Sequence, residues 1–309
     1  MSQQAKPGLF HEACLYDSDT SLIDQCVPVM QQALADNDDV LLFATGRTCE
    51  VLTGALGADV DRLALVVDSG DRWHGLHSTL IAHMQALAPV FASGRRWCLL
   101  TEPAWIARPG GHEWHRFEAA SNRHFSGYPC HCLCLHDVRR LSSNVLDDVR
   151  RTHPFIRDGR GSRPSGVFEA PESFVPAHEP FWGPVPSHAV ARVATNAVTA
   201  RRFAHQLVDQ YGLEVRRDDL VLAVSELAAN SLEAGCAPTV AAWRDEEFLV
   251  IEIADAGGGG IDPLAGYVPP VAMDESGRGL WLARALADDA AVRAVPGVGS
   301  AVRILFRIG

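Results

Sequence analysis

The sequence is nearly free of lysine: Lys6 is the only one among 309 residues, and the other basic residues are arginines. A P-loop needs a lysine behind its glycines to reach the phosphates, so this kind of nucleotide site is excluded. Lysine and arginine together number 27, fewer than the 38 Asp and Glu residues, and the net charge is therefore -11. Because nucleic-acid phosphates are neutralised by clustered cations, this balance predicts no direct nucleic-acid binding and leaves protein partners open.

Long apolar runs are absent as well, and none approaches the roughly 20 residues that span a bilayer. The N-terminal residues lack the basic, apolar and small-residue regions of a signal peptide. The sequence therefore predicts a cytoplasmic protein without a membrane segment. In that compartment the eight cysteines are expected to be free thiols or ligands rather than a disulfide framework.

Two regions with the periodic patterns of globular domains flank a region that lacks such periodicity. We predict domains at 1–156 and 188–309, joined by a linker at 157–187. In the first region, apolar runs typical of short buried strands alternate with helix-like segments, and the runs lie at 40–44, 63–67, 97–101 and 132–135. Such alternation predicts parallel strand pairing and an α/β domain. The linker is rich in Gly and Pro. Its four aromatic residues indicate that part of it packs on a domain: Phe168, Phe174, Phe181 and Trp182.

The second region shows the pattern of two helices, two strands, a glycine-rich loop, a helix and two further strands. The helices are expected at 188–211, 217–234 and 279–287, and the strands at 239–244, 248–254, 290–295 and 301–306. This order of elements predicts an α/β sandwich in which helices cover a mixed sheet.

Three short motifs in the second region suggest a nucleotide site. Glu226 and Asn230 lie four residues apart on a predicted helix and so share a face. The amide oxygen suits Mg²⁺, and the carboxylate can accept a proton. Asp255 ends an apolar strand before a run of glycines that lets backbone approach a base closely, and its carboxylate can accept a hydrogen bond from an adenine amino group. Each motif alone also fits a plain surface helix or a flexible turn.

A third motif, the run Ser276, Gly277, Arg278, Gly279 and Leu280, opens a predicted helix. Glycines at a helix start expose N–H groups and the helix dipole to phosphate. Taken in chain order, the three motifs resemble the N-box and the two glycine boxes of the GHKL ATPases, the superfamily of gyrase and the histidine kinases. The first glycine box contains Asp255, Gly257 and Gly259, and Ser300 stands where that family has a threonine.

The short, proline-containing segment between the glycine boxes makes the region most similar to the anti-sigma-factor serine kinases, which have a Bergerat-type fold. The resemblance implies ATP and Mg²⁺ as cofactors, with Asn230 holding Mg²⁺ and Asp255 binding adenine. It also implies that Glu226 acts as the base on a serine of a partner, and Arg278 would steady the phosphates. Such domains often carry a histidine four residues after the asparagine, where this chain has Ala234, so phosphorylation of the partner stays open.

The first region resembles the MEDS sensory domain, which accompanies such ATPase domains in actinobacterial regulators. The resemblance rests on the short segments 11–16, 135–141 and 151–154. It implies a RecA-like α/β fold without a working P-loop, which agrees with the scarcity of lysine. It does not identify the ligand that the domain senses.

Cysteines and histidines give the first region a candidate site for a metal ion or haem. Cys130, Cys132 and Cys134 point to one face of a predicted strand, where three thiols would bind a soft ion. His11 and His153 would meet if the first strand and the last helix are neighbours. The plainer alternatives are small cysteines buried in a core strand and histidines held by structural hydrogen bonds.

The expected function is a signalling regulator that senses a ligand or redox state through its first domain. Its ATP-binding domain would act in stress-dependent transcription regulation, on a sigma factor or on an anti-anti-sigma (STAS-type) protein, and the resemblance suggests a homodimer. Two alternatives stay open: a non-catalytic anti-sigma binding protein, and an atypical sensor histidine kinase. The helix before the ATP site contains no His-Glu or His-Asp dipeptide, so its histidines are poor phosphoacceptors.

Overall fold

The computed structural model describes residues 8–69, 76–106, 113–179, 183–257, 261–267, 278–295 and 299–308. The chain divides into two compact units, Met1–Phe174 and Val175–Gly309. Each unit has its own sheet and its own hydrophobic core. Among the described helices, none is both long and apolar enough to cross a lipid bilayer.

Strands and helices alternate along the first unit, as the sequence pattern predicts. They are, in chain order, β1 (Phe10–Tyr16), α1 (Asp19–Ala35), β2 (Asp39–Ala44), α2 (Gly46–Leu56), β3 (Leu65–Asp68), α3 (Leu76–Ser93), β4 (Trp97–Thr101), α4 (Glu113–His124), β5 (Cys130–Asp137), α5 (Ser143–Thr152), β6 (Phe155–Asp158) and β7 (Gly161–Pro164). The strands form one sheet in the order β3-β2-β4-β5-β1-β6-β7. All neighbouring pairs are parallel except β6 with β7, which confirms the predicted parallel α/β domain.

Both faces of the central strands are buried, as expected for a parallel sheet covered by helices on each side. In β2, Leu42 belongs to a core cluster with Leu22 and Met30 of α1. Its neighbours Leu41 and Phe43 belong to a second cluster, because successive side chains of a strand point to opposite faces. This packing holds the carboxyl ends of the parallel strands together at one edge of the sheet.

The segment 157–187, which the sequence suggests is a linker, contains regular structure. β6 pairs with β1, β7 pairs with β6, and the helix α6 (Pro171–His178) follows. The anchor is the buried Glu12 of β1, whose carboxylate accepts hydrogen bonds from Arg157 Nε at 2.9 Å and from Ser162 Oγ. A buried carboxylate needs such partners, and no local sequence pattern reveals that they lie so far along the chain.

The second unit is an antiparallel sheet whose core is shared with three helices. Its elements are β8 (Val190–Val193), α7 (Ala197–Tyr211), α8 (Arg217–Glu233), β9 (Thr239–Asp245), β10 (Phe248–Asp255), α9 (Arg278–Leu286), β11 (Asp289–Val295) and β12 (Gly299–Arg307). The strand order is β11-β12-β10-β9-β8, and every neighbouring pair is antiparallel. The predicted α/β sandwich is confirmed, but its sheet is antiparallel rather than mixed.

The long helix predicted from residue 188 begins later, at Ala197. Asn196 is its N-cap, and its side chain accepts a hydrogen bond from Thr199 N at 2.9 Å. The preceding residues, Val190–Val193, form β8 and pair with β9. Their short apolar pattern fits a strand as well as a helix, and the capping residue sets the boundary between the two elements.

Candidate functional site

The helix α8 carries the first pair of predicted site residues. Its apolar stripe, which includes Leu220, Val224 and Leu227, lies in the core of the second unit. Glu226 is half-buried and Asn230 is exposed. Because they are one helical turn apart, their side chains lie together on the face that does not enter the core.

The carboxylate of Asp255, at the end of β10, is the best-connected group of this site. Its Oδ2 accepts hydrogen bonds from Ser231 Oγ at 2.5 Å and from Ser300 Oγ at 3.2 Å, and its Oδ1 accepts one from Gly257 N at 2.9 Å. Ser300 reaches it because the antiparallel pairing of β10 and β12 places Ser300 opposite Asp255. Three of about four acceptor positions of the carboxylate are therefore used, and one is left for an amino group such as that of adenine.

Ser231 is a site residue that the sequence pattern does not single out. It follows Asn230 on α8 and is buried, so its hydroxyl links this helix to the strand that carries Asp255. A helical serine commonly bonds the carbonyl one turn back, as Ser225 does with Val221 O at 2.6 Å. The packing of α8 on β10 gives Ser231 a different partner, which the sequence alone does not show.

Two glycines let the backbone pass close to Asp255. A Cβ on Gly299, whose φ is +147°, would lie 2.0 Å from the Asp255 carbonyl oxygen. A Cβ on Gly257 would lie 3.0 Å from Asp255 Oδ1. Side chains at these positions would displace the strand end or the carboxylate, so the site depends on glycine at both.

The start of α9 brings Gly279 of the second glycine box against α8. A Cβ on Gly279 would lie 2.8 Å from Asn230 Nδ2 and 3.1 Å from Asn230 Oδ1, so the asparagine amide lies directly on the helix start. Arg278 is exposed at the first position of α9, whereas Leu280 is buried and anchors the helix in the core. The other two glycines of the predicted boxes, Gly259 and Gly277, lie outside the described residues.

The first unit contains a cavity of about 310 Å³ at the carboxyl ends of its parallel strands. Residues at or just after the ends of β1, β2, β4 and β5 line it: Tyr16, Thr45, Glu102 and Asp137. Crevices in this position are where open α/β sheets bind ligands. The cavity has no sequence motif, because its residues come from four separate connections.

Glu102 organises part of this cavity. It is buried and accepts hydrogen bonds from Tyr16 OH at 3.2 Å, from Thr45 N at 3.0 Å and from Thr45 Oγ1 at 2.8 Å. Asp137 binds Arg139 through both carboxylate oxygens at 2.8 Å, and this pairing holds the pKa of Asp137 below its usual value. Three arginines also line the cavity: Arg47, Arg139 and Arg140. The cavity therefore offers carboxylates, guanidinium groups and hydroxyl groups to a small polar ligand.

The predicted cysteine and histidine site is only partly assembled. His11 of β1 and His153, the C-cap of α5, are both buried, and their ring centroids lie 4.2 Å apart. His11 Nε2 lies 3.3 Å from Cys134 Sγ. Cys132 Sγ lies 3.9 Å from Cys134 Sγ. Within the described part of the chain, however, neither Cys130 nor Cys132 belongs to a group of potential metal ligands, so Cys134 is the one thiol placed with the histidines.

Burial keeps the groups around this pair uncharged. It lowers the pKa of His11 to about 4 and that of His136 to about 3, and it also lowers the pKa of His153. Burial also raises the pKa of Glu118, a residue of α4, to about 8. Neutral imidazole is the form of histidine that binds metal ions. Sequence reasoning missed Glu118 and His136, because they lie on different elements with no motif spacing between them.

Family models match both units of the chain. The model of the MEDS domain (MEthanogen/methylotroph, DcmR Sensory domain) matches residues 10–154, and the model of the histidine kinase-like ATPase domain matches residues 190–306. No curated protein matches the chain. The order of the two matches is the order that the sequence motifs predict. The chain is therefore a fusion of a MEDS sensory domain with a histidine kinase-like ATPase domain.

Proposed function

We propose that the chain is a cytoplasmic signalling regulator whose ATPase domain binds Mg-ATP and phosphorylates a serine of an anti-anti-sigma protein. The first domain would supply the signal, either a small ligand or a change of redox state. The order of the matched domains supports the general class of a sensory regulator. The choice of partner rests on the similarity of the motifs to those of anti-sigma-factor serine kinases.

The hydrogen bonds on Asp255 are the observation that carries this proposal. Ser231 and Ser300 fix its carboxylate, and one acceptor position stays free for adenine. One residue before Ser231, Asn230 lies against the start of α9, where helical N–H groups attract phosphate. The adenine end and the phosphate end of the proposed site are thus connected through α8.

Each polar side chain has one task in the proposed reaction. Asn230 would hold Mg²⁺, which neutralises phosphate charge. Arg278 would contact phosphate oxygens, a task that falls to lysine in a P-loop. Glu226 would accept the proton of the partner's serine hydroxyl, while the serine oxygen bonds to the terminal phosphorus and ADP leaves.

The cavity at the strand ends of the first domain is the proposed place for the sensed ligand. Its arginines, its carboxylates and its threonines, Thr45 and Thr48, favour a small polar molecule that both donates and accepts hydrogen bonds. A redox signal would act instead on the buried thiols, of which Cys14 and Cys26 lie 3.8 Å apart between their sulfur atoms. Titration with candidate ligands distinguishes a ligand signal from a redox signal, because only the ligand signal needs the cavity.

Ala234 favours a second function, that of a non-catalytic anti-sigma protein with a structural nucleotide. It is exposed at the C-cap of α8, at the position where the serine kinases that the domain resembles often carry a histidine. Without that imidazole, the domain could bind a nucleotide and still transfer no phosphate. The partner would then be bound and not modified.

Phosphate transfer from labelled ATP tests the proposal. The full chain is incubated with Mg²⁺, γ-labelled ATP and a STAS-type partner, and in parallel with the same partner lacking its serine. We expect acid-stable label on the partner only when the serine is present. An unlabelled partner together with retained sigma-factor binding would support the non-catalytic function. Acid-labile label on the chain itself would indicate an atypical histidine kinase.

We expect the Gly279→Ala substitution to weaken Mg-ATP binding by about tenfold, because the added methyl group meets the Asn230 amide at 2.8 Å and overpacking of this kind costs about 1–3 kcal/mol. Isothermal titration calorimetry with and without Mg²⁺ measures the effect, which should be larger with Mg²⁺. Gly54→Ala is the control, since nothing lies within 4 Å of a Cβ at that position. Equal affinities in both variants would argue against a role for Asn230 at the helix start.

The Ser231→Ala substitution is expected to weaken ATP binding by about tenfold, the usual cost of losing a hydrogen bond to a charged group. Because Ser231 holds Asp255 at the adenine end, the loss should be the same with and without Mg²⁺. Ser225→Ala, which removes a hydroxyl that bonds the carbonyl of Val221 one turn back in the same helix, is the matched control in the same titration. A loss of affinity that appears only with Mg²⁺ would place Ser231 at the phosphate end of the site and contradict this assignment.

A further inference from the structure

Among the buried polar atoms of the first unit that have no hydrogen-bond partner in the described part of the chain, three belong to neighbouring side chains: Glu118 Oε2, His136 Nε2 and His153 Nε2. Their residues are 2%, 2% and 0% exposed. Buried polar atoms are nearly always paired, so each exception needs an explanation, and binding of an ion is one. Three such atoms from three elements, α4, β5 and the end of α5, point to a common ligand.

The distances between these atoms suit a single metal ion. Ligand atoms of the three side chains all lie within 4.8 Å of one another, and Glu118 Oε2 is 3.7 Å from His153 Nε2. Metal bonds of about 2.0–2.2 Å to nitrogen and oxygen place ligand atoms roughly 3–4 Å apart. Small side-chain movements are therefore enough to bring all three atoms onto one ion.

The remaining polar atoms of two of these side chains are already held. His153 Nδ1 lies 2.8 Å from Val149 O, and Glu118 Oε1 accepts a hydrogen bond from Trp114 Nε1 at 2.8 Å. A histidine that donates one ring N–H to a backbone carbonyl presents a lone pair on its other nitrogen. This is the usual arrangement of histidines that bind metals, and it directs His153 Nε2 toward Glu118.

His11 and Cys134 extend the same cluster. Together with His153 they form a second group whose ligand atoms lie within 4.8 Å of one another. Asn122 orients His11, since its Oδ1 lies 3.0 Å from His11 Nδ1, and Asn122 is itself fixed by donating to Thr152 O at 2.8 Å. His153 therefore belongs to two groups, and the whole donor set is three imidazoles, one carboxylate and one thiol.

We propose that Glu118, His136 and His153 bind one divalent transition-metal ion, zinc or ferrous iron, inside the sensory domain, with His11 and Cys134 beside it as further donors. Imidazole and carboxylate suit both metals. The rival explanation is a cluster of buried polar groups that needs no ion. The proposal is independent of the proposed kinase activity, because metal binding is measured on the chain without nucleotide or partner.

Zn²⁺ in competition with a chromophoric chelator measures the affinity, and Co²⁺ reports its ligands through its visible absorption. The full wild-type chain, first stripped of metal, is expected to take up one equivalent of either ion. Glu118→Gln keeps the size of the side chain and an acceptor for the Trp114 N–H, so it should fold but bind Zn²⁺ at least about 100-fold more weakly. His131→Gln is the matched control, because His131 lies on the same strand as His136, β5, but pairs with Glu12. The His131→Gln variant should bind Zn²⁺ like the wild type.

Thermal melting in metal-free buffer shows whether each variant folds. If Glu118→Gln fails to fold, His136→Gln replaces it and is expected to show the same loss of Zn²⁺ affinity and a changed Co²⁺ spectrum. Stoichiometric uptake that is lost in either variant and kept in His131→Gln supports the site. Absence of uptake by the folded wild-type chain, or wild-type affinity in a folded ligand variant, overturns it.

Discussion

The Glu226→Gln variant is expected to transfer phosphate to the partner serine about 10²- to 10⁴-fold more slowly than the wild-type chain, with nearly unchanged affinity for ATP. Glutamine keeps the size of the side chain but does not accept the serine proton, and general-base contributions have this magnitude. Glu226 makes no hydrogen bond to Asp255 among the described residues, so its replacement leaves the adenine end of the site intact. Single-turnover transfer of labelled phosphate gives the rate, and calorimetry gives the affinity.

Glu233→Gln is the matched control for this variant. Glu233 lies at the end of the same helix, two turns beyond Glu226, and is exposed. It should transfer phosphate at the wild-type rate. If both variants slow the transfer equally, or if ATP affinity falls in step with the rate in Glu226→Gln, then Glu226 is not the proton acceptor.

The Asn230→Ala variant is expected to lose Mg²⁺-dependent ATP binding altogether. It removes the one amide oxygen on this face of α8 that can bind Mg²⁺, and it uncovers the helix start at Gly279. Titration of the variant with ATP should give the same weak signal with and without Mg²⁺. Far-ultraviolet circular dichroism should match that of the wild type, because Asn230 is exposed.

Asn230→Asp is the companion variant, since it retains an oxygen ligand for Mg²⁺. It is expected to recover part of the Mg²⁺-dependent binding that Asn230→Ala loses. Wild-type affinity for Mg-ATP in Asn230→Ala would show that Mg²⁺ is held elsewhere. An equal loss in both variants would assign Asn230 a role in packing against α9 and not in binding the ion.

The order of the sequence motifs predicts that the residues of the candidate nucleotide site come together, and the structure shows two such contacts. Asp255 and Ser300 are 45 residues apart and yet hydrogen-bonded, because β10 and β12, the strands that carry them, pair with these two residues opposite each other. Asn230 and Gly279 meet in the same way, at the contact of two helices. Ser231 is beyond the reach of such reasoning, since its burial depends on how α8 packs on β10.

Features built from distant single residues escape prediction for a related reason. The buried carboxylate of Glu12 accepts hydrogen bonds from Arg157 and Ser162, which lie far along the chain in a segment whose sequence looks like a linker. Glu118 and His136 come from different elements and lack the spacing of a metal motif. Local periodicity shows which face of a helix or strand is buried, but it carries no information about which buried faces meet.

Calorimetric titration of the full chain with ATP, with and without Mg²⁺, tests most directly the central claim that the second domain binds Mg-ATP at Asp255 and Asn230. The wild-type chain is predicted to show one saturable site that binds more tightly with Mg²⁺. Asp255→Asn should abolish that binding, because an amide offers one acceptor oxygen where Ser231, Ser300 and Gly257 N use two. No saturable binding to the folded wild-type chain, or equal binding to Asp255→Asn, would contradict the claim.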